Sequence, residues 1–112
     1  MEIKIKISKD YTKTPGGRTI QNGPYSGTEF RDTILIPKFK EVINKGGTLV
    51  VDFDGLYGCG VSFLEESFGG LIRKGFLYSD IKKHIKYIAN EDDTIVPKIE
   101  KFLKEANKNE EK

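Results

Sequence analysis

Ile3, Ile5 and Ile7 alternate with Lys4, Lys6 and Ser8. A period of two with one apolar face predicts a half-buried strand at the amino terminus. From Pro15 to Tyr25, three glycines and two prolines in eleven residues indicate turns, with room for a short strand around Arg18 to Ile20. Ser26 and Glu29 then have the spacing of a capping box. They open a helix toward Lys45 whose inner face is Phe30, Ile34, Leu35, Phe39, Val42 and Ile43. Pro37 lies inside this helix and predicts a kink or a restart, because its ring clashes with the carbonyl four residues back. Gly46-Gly47 supplies the stop. Thr48 to Phe53 is the strongest strand of the chain, apolar enough to be covered on both faces.

A second capping spacing, Ser62 to Glu65, predicts a helix to about Lys74, closed by Gly75. On its wheel Phe63, Leu64, Ser67, Phe68, Leu71 and Ile72 share one arc; Glu65, Glu66, Gly69, Gly70 and Arg73 share the other. The segment Ser79 to Asn90 fits a helical turn followed by a short strand at Ile85 to Ile88. Asp92-Asp93-Thr94 starts a last helix with an apolar stripe of Ile95, Ile99, Phe102, Leu103 and Ala106, Pro97 falling in its first turn. The order is that of a small open α/β layer with helices packed on a sheet. It reads as one domain over residues 1–106, with a polar tail, 107–112, that frays.

Composition narrows the function classes. The chain has 112 residues, and 19 basic groups nearly balance 17 acidic ones. A nucleic-acid binder ordinarily carries a larger basic excess or a concentrated patch. No segment approaches the roughly 18 apolar residues that span a bilayer, and the alternating amino terminus lacks a signal-peptide core. The expectation is a cytoplasmic protein without a membrane partner.

Candidate chemistry is sparse. Cys59 is the one cysteine, which excludes an internal disulfide and a Cys-rich metal site; no basic neighbour marks it as an activated thiol. His84 stands alone. Asp52 and Asp54 share a strand face by period two, and without a His or third carboxylate they read as a solvated strand end rather than a metal or acid/base pair. Gly16-Gly17-Arg18, Ser26-Gly27 and Arg31 suggest an anion pocket of backbone N–H groups, arginines and a helix N-terminus. Ser62 reads first as a cap, although a phosphate there would favour the helix N-terminus and be opposed by Glu65 and Glu66. Ser67, on the apolar arc, reads as packing. No activated nucleophile and base appear together, and no cofactor motif is present.

Four blocks carry a resemblance: Pro15-Gly16-Gly17-Arg18, Gly23 to Arg31, Val50 to Gly55, and Ser62-Phe63-Leu64-Glu65-Glu66-Ser67-Phe68-Gly69-Gly70-Leu71. Over about residues 3 to 106 they resemble the STAS-like family of unknown function, DUF4325. The resemblance implies an α/β fold like that of anti-sigma-factor antagonists, with a four- to five-stranded mixed sheet covered by about four helices. It also implies a non-enzymatic regulator that binds a partner protein, often a histidine-kinase-like ATPase. An ungapped match through Val61-Ser62-Phe63 places the antagonists' phosphorylated serine on Ser67, so Ser62 and Ser67 are the candidate phosphorylation sites.

Two functional expectations follow. In the first, a partner docks on the Gly55–Gly60 loop and the following helix through Gly58, Gly60, Ser62, Glu65, Glu66 and Arg73. In the second, Arg18, Ser26 and Arg31 bind a nucleotide or other anion and make the domain a sensor. An exposed strand edge would also permit a homodimer.

Overall fold

The computed structural model describes residues 1–110. Strand β1 (Glu2–Lys6) is followed at once by a helical turn, α1 (Ile7–Asp10). Ile7 is therefore not the third inward strand residue that the alternation predicts. The carboxylate of Asp10 accepts the Lys6 N–H at 2.8 Å, and the Ile7 carbonyl accepts from Tyr11 and Thr12, which turns the chain while still burying Ile7 completely.

The loop that follows holds a 3₁₀ turn at Ile20–Asn22 in place of the expected short strand. The amide oxygen of Asn22 accepts from both the N–H and the hydroxyl of Thr19, so these polar side chains satisfy the backbone locally rather than leave it for a ladder.

Helix α2 spans residues 27–45 as three joined pieces: α-helical Gly27–Phe30, a π-helical turn at Arg31–Leu35, and α-helical Ile36–Lys45. The Ser26 hydroxyl accepts the Glu29 N–H at 3.1 Å, as its capping spacing predicts. Pro37 sits just past the π turn, in the first turn of the last piece. There the widened i→i+5 turn absorbs the missing N–H and the ring that would otherwise kink the helix. Gly46 ends α2 in the left-handed region at φ 72°, a conformation that glycine adopts without penalty.

Strand β2 (Thr48–Asp52) lies between β1 and β3 (Ile85–Ile88). Both pairings are parallel, so among the described residues the sheet has three strands and is neither mixed nor four- to five-stranded. Register aligns Ile3, Leu49 and Ile85 in one row and Ile5, Val51 and Tyr87 in the next. These rows face the apolar core, beneath Phe30, Phe39, Phe63 and Phe68. The alternate rows, Lys4–Val50–Lys86 and Lys6–Asp52–Ile88, point the other way. Lys4 and Lys86 are exposed, and Val50 and Ile88 are only half-buried and lie outside the core. Strand β2 is thus packed on the apolar core through one face, not two; on the second face lysine side chains reach over the buried Asp52 and leave Val50 partly exposed.

Helix α3 covers residues 61–73 and repeats the design of α2, with a π turn at Glu65–Gly69 between Val61–Leu64 and Gly70–Arg73. Helix α4 (Tyr78–His84) runs directly into β3, and α5 (Ile95–Glu110) closes the domain. Its buried residues, Ile95, Ile99, Leu103 and Ala106, belong to the expected stripe. It continues helically to Glu110, past the point where the sequence predicts a fraying tail; the last two residues of that tail lie outside the described residues. His84 donates Nδ1–H to the Gly47 carbonyl at 2.7 Å, which ties α4 to the start of β2.

Candidate functional site

All three strands run in one direction, so their carboxyl ends share one edge, the place where open α/β sheets put working surface. Asp52 and Asp54 organise this edge. Asp52 is buried, not solvated as its strand-end position predicts. Its carboxylate lies 3.4 Å from the ammonium groups of both Lys4 and Lys6 and accepts the Asp54 N–H at 2.9 Å. Burial pushes its pKa up, but the Asp54 N–H and the two lysines outweigh that and hold it below its ordinary value. Asp54, beyond the strand, accepts from the Asn90 side chain and the Glu91 N–H, each at 3.0 Å. The Glu91 carboxylate in turn accepts the Gly55 N–H at 2.5 Å. Asp52 therefore ties the end of β2 to β1, whereas Asp54 and Glu91 tie together the loops after β2 and β3.

Above this base rises the 55–60 loop. Tyr57 is held through its N–H to the Lys13 carbonyl at 2.9 Å, yet the residue is 79% exposed, with the Lys13 ammonium 6.0 Å from the centre of its ring. Val61, at the start of α3, is 52% exposed. Gly58 and Gly60 have open space around them. Below the loop a cleft of about 220 Å³ is lined by Phe53, Leu56, Cys59, Glu91, Asp92 and Ile95. Burial pushes the Cys59 thiol up to about 12, so this cysteine is not poised as a nucleophile.

Helix α3 starts two residues earlier than a cap at Ser62 implies. Gly60 is the N-cap, with no side-chain cap bond, and Ser62 is a half-buried residue of the first turn. The capping role expected of Ser62 is not formed. Ser67 is fully buried, as the wheel predicts, with its hydroxyl 3.5 Å from the Gly27 carbonyl. A kinase could reach it only if α3 separated from α2.

Glu65 and Glu66 do not form an exposed acidic ridge. Glu66 receives Arg31 Nη1 at 2.5 Å, and Arg31, only 5% exposed, also grips Asp32 through Nε at 2.8 Å and Nη2 at 3.3 Å. Glu65 is paired with Arg18 and receives both guanidinium nitrogens of Arg73, at 2.7 and 3.1 Å. Arg18 reaches Glu66 as well, at 3.3 Å. Burial raises the Glu65 pKa, but Arg73 and Arg18 more than compensate and hold it below its ordinary value. The residues expected to form an anion pocket, Arg18, Ser26 and Arg31, are otherwise engaged in this structure. The arginines are neutralised by carboxylates of the chain. The Gly27 and Thr28 N–H groups donate to the Gly17 and Arg18 carbonyls, the Glu29 N–H goes to Ser26, and Ser26 itself is buried.

Gly69 and Gly70 are the bed of this network. A Cβ on Gly70 would stand 2.5 Å from Arg31 Nη1 and 2.9 Å from its Cδ; one on Gly69 would stand 2.5 Å from Glu65 Oε2. The wheel puts both glycines on the solvent arc, yet both are buried. A π turn offsets the helix by about one residue, roughly 100° of rotation, and arginine side chains cover that arc. The paired glycines were the available signal, since each costs a helix interior about 1 kcal/mol relative to alanine. Asp32 and the exposed Tyr57 and Val61 carried no such signal.

Searches of curated proteins and of solved structures return no match. The model of the STAS-like domain of unknown function (DUF4325) matches residues 26–94, a span from the Ser26 cap through both π turns to the threshold of α5, and the chain belongs to this family.

Proposed function

We propose that the chain is a non-enzymatic regulatory module that docks a partner protein on the crown of its sheet, with Tyr57 and Val61 as the anchors. The observation that carries this reading is Tyr57: a large aromatic residue left 79% exposed on a loop whose base is tied down by Asp54, Glu91 and Lys13. Interface hot spots favour tyrosine because it offers large contact area at low entropic cost. A base already fixed by hydrogen bonds lowers the ordering cost of docking, and the bare glycines beside the ring leave room for a partner to approach. Gly58, Gly60 and Ser62 would line the contact. Glu65, Glu66 and Arg73 would act one step back, by holding α3 in place. The resemblance to anti-sigma-factor antagonists supports a histidine-kinase-like ATPase as the partner.

The test is affinity capture with the wild-type chain, identification of the bound proteins, and titration of a captured ATPase against variants. Tyr57→Ala and Val61→Asp should each weaken binding by about tenfold or more, a loss of about 1.4 kcal/mol, with unchanged thermal unfolding. Full affinity in both variants would remove the crown from the interface. A set of partners without such an ATPase would overturn the partner class.

A further inference from the structure

At the far side of the sheet from β1, strand β3 is an edge. Alternation of peptide groups along a strand decides which of them are free. The Ile88 carbonyl accepts the Phe53 N–H at 2.8 Å, so Ile88 and, two residues back, Lys86 face β2, and the peptide group of Tyr87 faces outward. Each edge has one outward N–H already closed: that of Lys6 on β1 by the Asp10 carboxylate, and that of Ile85 at the start of β3 by the Ile81 carbonyl.

The free edge of β3 runs along a groove of about 240 Å³ between α4 and α5. Its apolar lining comes from Ile85, Leu103 and the rings of Tyr78 and Tyr87. Lys82, Lys86 and Lys104 stand around it against one carboxylate, Glu100. Lys82 lies 5.5 Å from the centre of the Tyr78 ring. Among the described residues these three lysines make no ion pair, whereas Lys4, Lys6, Lys45 and Lys101 do. Lysine on an edge strand ordinarily repels a second copy of the same strand, and antiparallel self-pairing of β3 would bring Lys86 toward its own counterpart. The same charges attract a strand of opposite sign.

We infer that the β3 edge and its lysine-rimmed groove bind an extended acidic peptide segment of a partner protein by strand addition, with alternate apolar side chains of that segment in the groove. Main-chain hydrogen bonds to the outward N–H and carbonyl of Tyr87 supply affinity; the lysines supply sign selectivity and the groove supplies register. This surface is separate from the crown and does not depend on what docks there.

The test uses a fluorescent peptide of about six residues that alternates glutamate and valine, followed by amide chemical shifts of the labelled protein. Binding with the largest shifts at Ile85 to Ile88 is expected, and a lysine–valine peptide should not bind. The double variant Lys82→Glu/Lys104→Glu, with an unchanged unfolding midpoint, should lose affinity by about tenfold or more. Peptides N-methylated on alternate residues separate strand addition from simple charge attraction. Methylation in one phase should leave binding intact, and in the other phase it should abolish it. Equal binding of both phases, shifts confined to other elements, indifference to the charge reversal, or no binding by the wild-type chain would each overturn the proposal. Tighter binding of a short single-stranded RNA at the same residues would make the groove a general polyanion site and would also overturn it.

Discussion

Arg31 shows how much of this fold rests on single residues. A guanidinium on a side chain 7% exposed is tolerable only while its donors are occupied, and here Glu66 and Asp32 share them. Removing Glu66 leaves a buried cation half-paired. Glu66→Ala should therefore lower the unfolding free energy by about 3 kcal/mol, measured by urea denaturation, and Arg31→Met with Glu66→Leu should recover much of the loss, because apolar pairs replace buried ion pairs at little cost. An unrecovered double variant would show that the pair does more than satisfy itself. Gly70→Ala tests the same contact from below. Helix propensity favours alanine by about 1 kcal/mol, yet the added methyl would sit 2.5 Å from Arg31 Nη1. The net effect should be a destabilisation of about 1–3 kcal/mol, and a gain in stability would mean that Arg31 yields freely.

At the scale of elements, the sheet's one-sidedness makes a sharp comparison between neighbours on β2. Leu49 is fully buried against the helices, and Val50 is half-exposed on the lysine face. Leu49→Ala should cost about 3 kcal/mol, while Val50→Thr should stay within about 0.5 kcal/mol; similar costs at both positions would require a cover on the second face. Apolar periodicity made β1, β2, α5 and the inner faces of α2 and α3 legible, because burial is what periodicity records. It could not show that Val50 lacks a cover, since one valine reads alike under a helix or under water between lysines. The π turns also escaped it. A helical wheel assumes 100° per residue, and nothing in Arg31 to Leu35 or Glu65 to Gly69 announces the extra residue in the turn. The ion network stayed hidden for a related reason. Arg18 and Arg31 lie more than 30 residues from the glutamates they meet, so sequence displayed two separate charged features where the fold makes one.

Across the whole molecule, the ion-paired carboxylates couple folding to pH. Arg31 holds the Asp32 carboxyl below its ordinary 3.8. At Asp52, burial acts upward, and the Asp54 N–H with the lysines brings the value below the same 3.8. Glu65 lies below its ordinary 4.5 through Arg73 and Arg18, against burial. In each case the folded chain releases its proton more readily than the unfolded chain. In the acid window the unfolded state therefore binds more protons, and stability rises with pH there. The contribution is complete above the unfolded values and is lost as pH falls through the folded ones. The unfolding free energy should consequently be insensitive to these groups from pH 8 to about 6 and should decline below about pH 5. Glu65→Gln should be less stable than the parent at pH 7, and its acid decline should be shallower, so that the two curves converge toward about pH 3. Parallel curves would mean that Glu65 is not held by its arginines in solution. Salt gives a second axis. Arg18 and Arg73 are 42% and 39% exposed at the side chain, against 7% for Arg31. With a Debye length near 3 Å at 1 M salt, the Glu65 pairs should be screened and the Arg31–Glu66 pair largely spared. The difference between parent and Glu65→Gln should shrink in high salt, while that between parent and Glu66→Ala should persist; equal shrinkage of both would place Arg31 in contact with solvent.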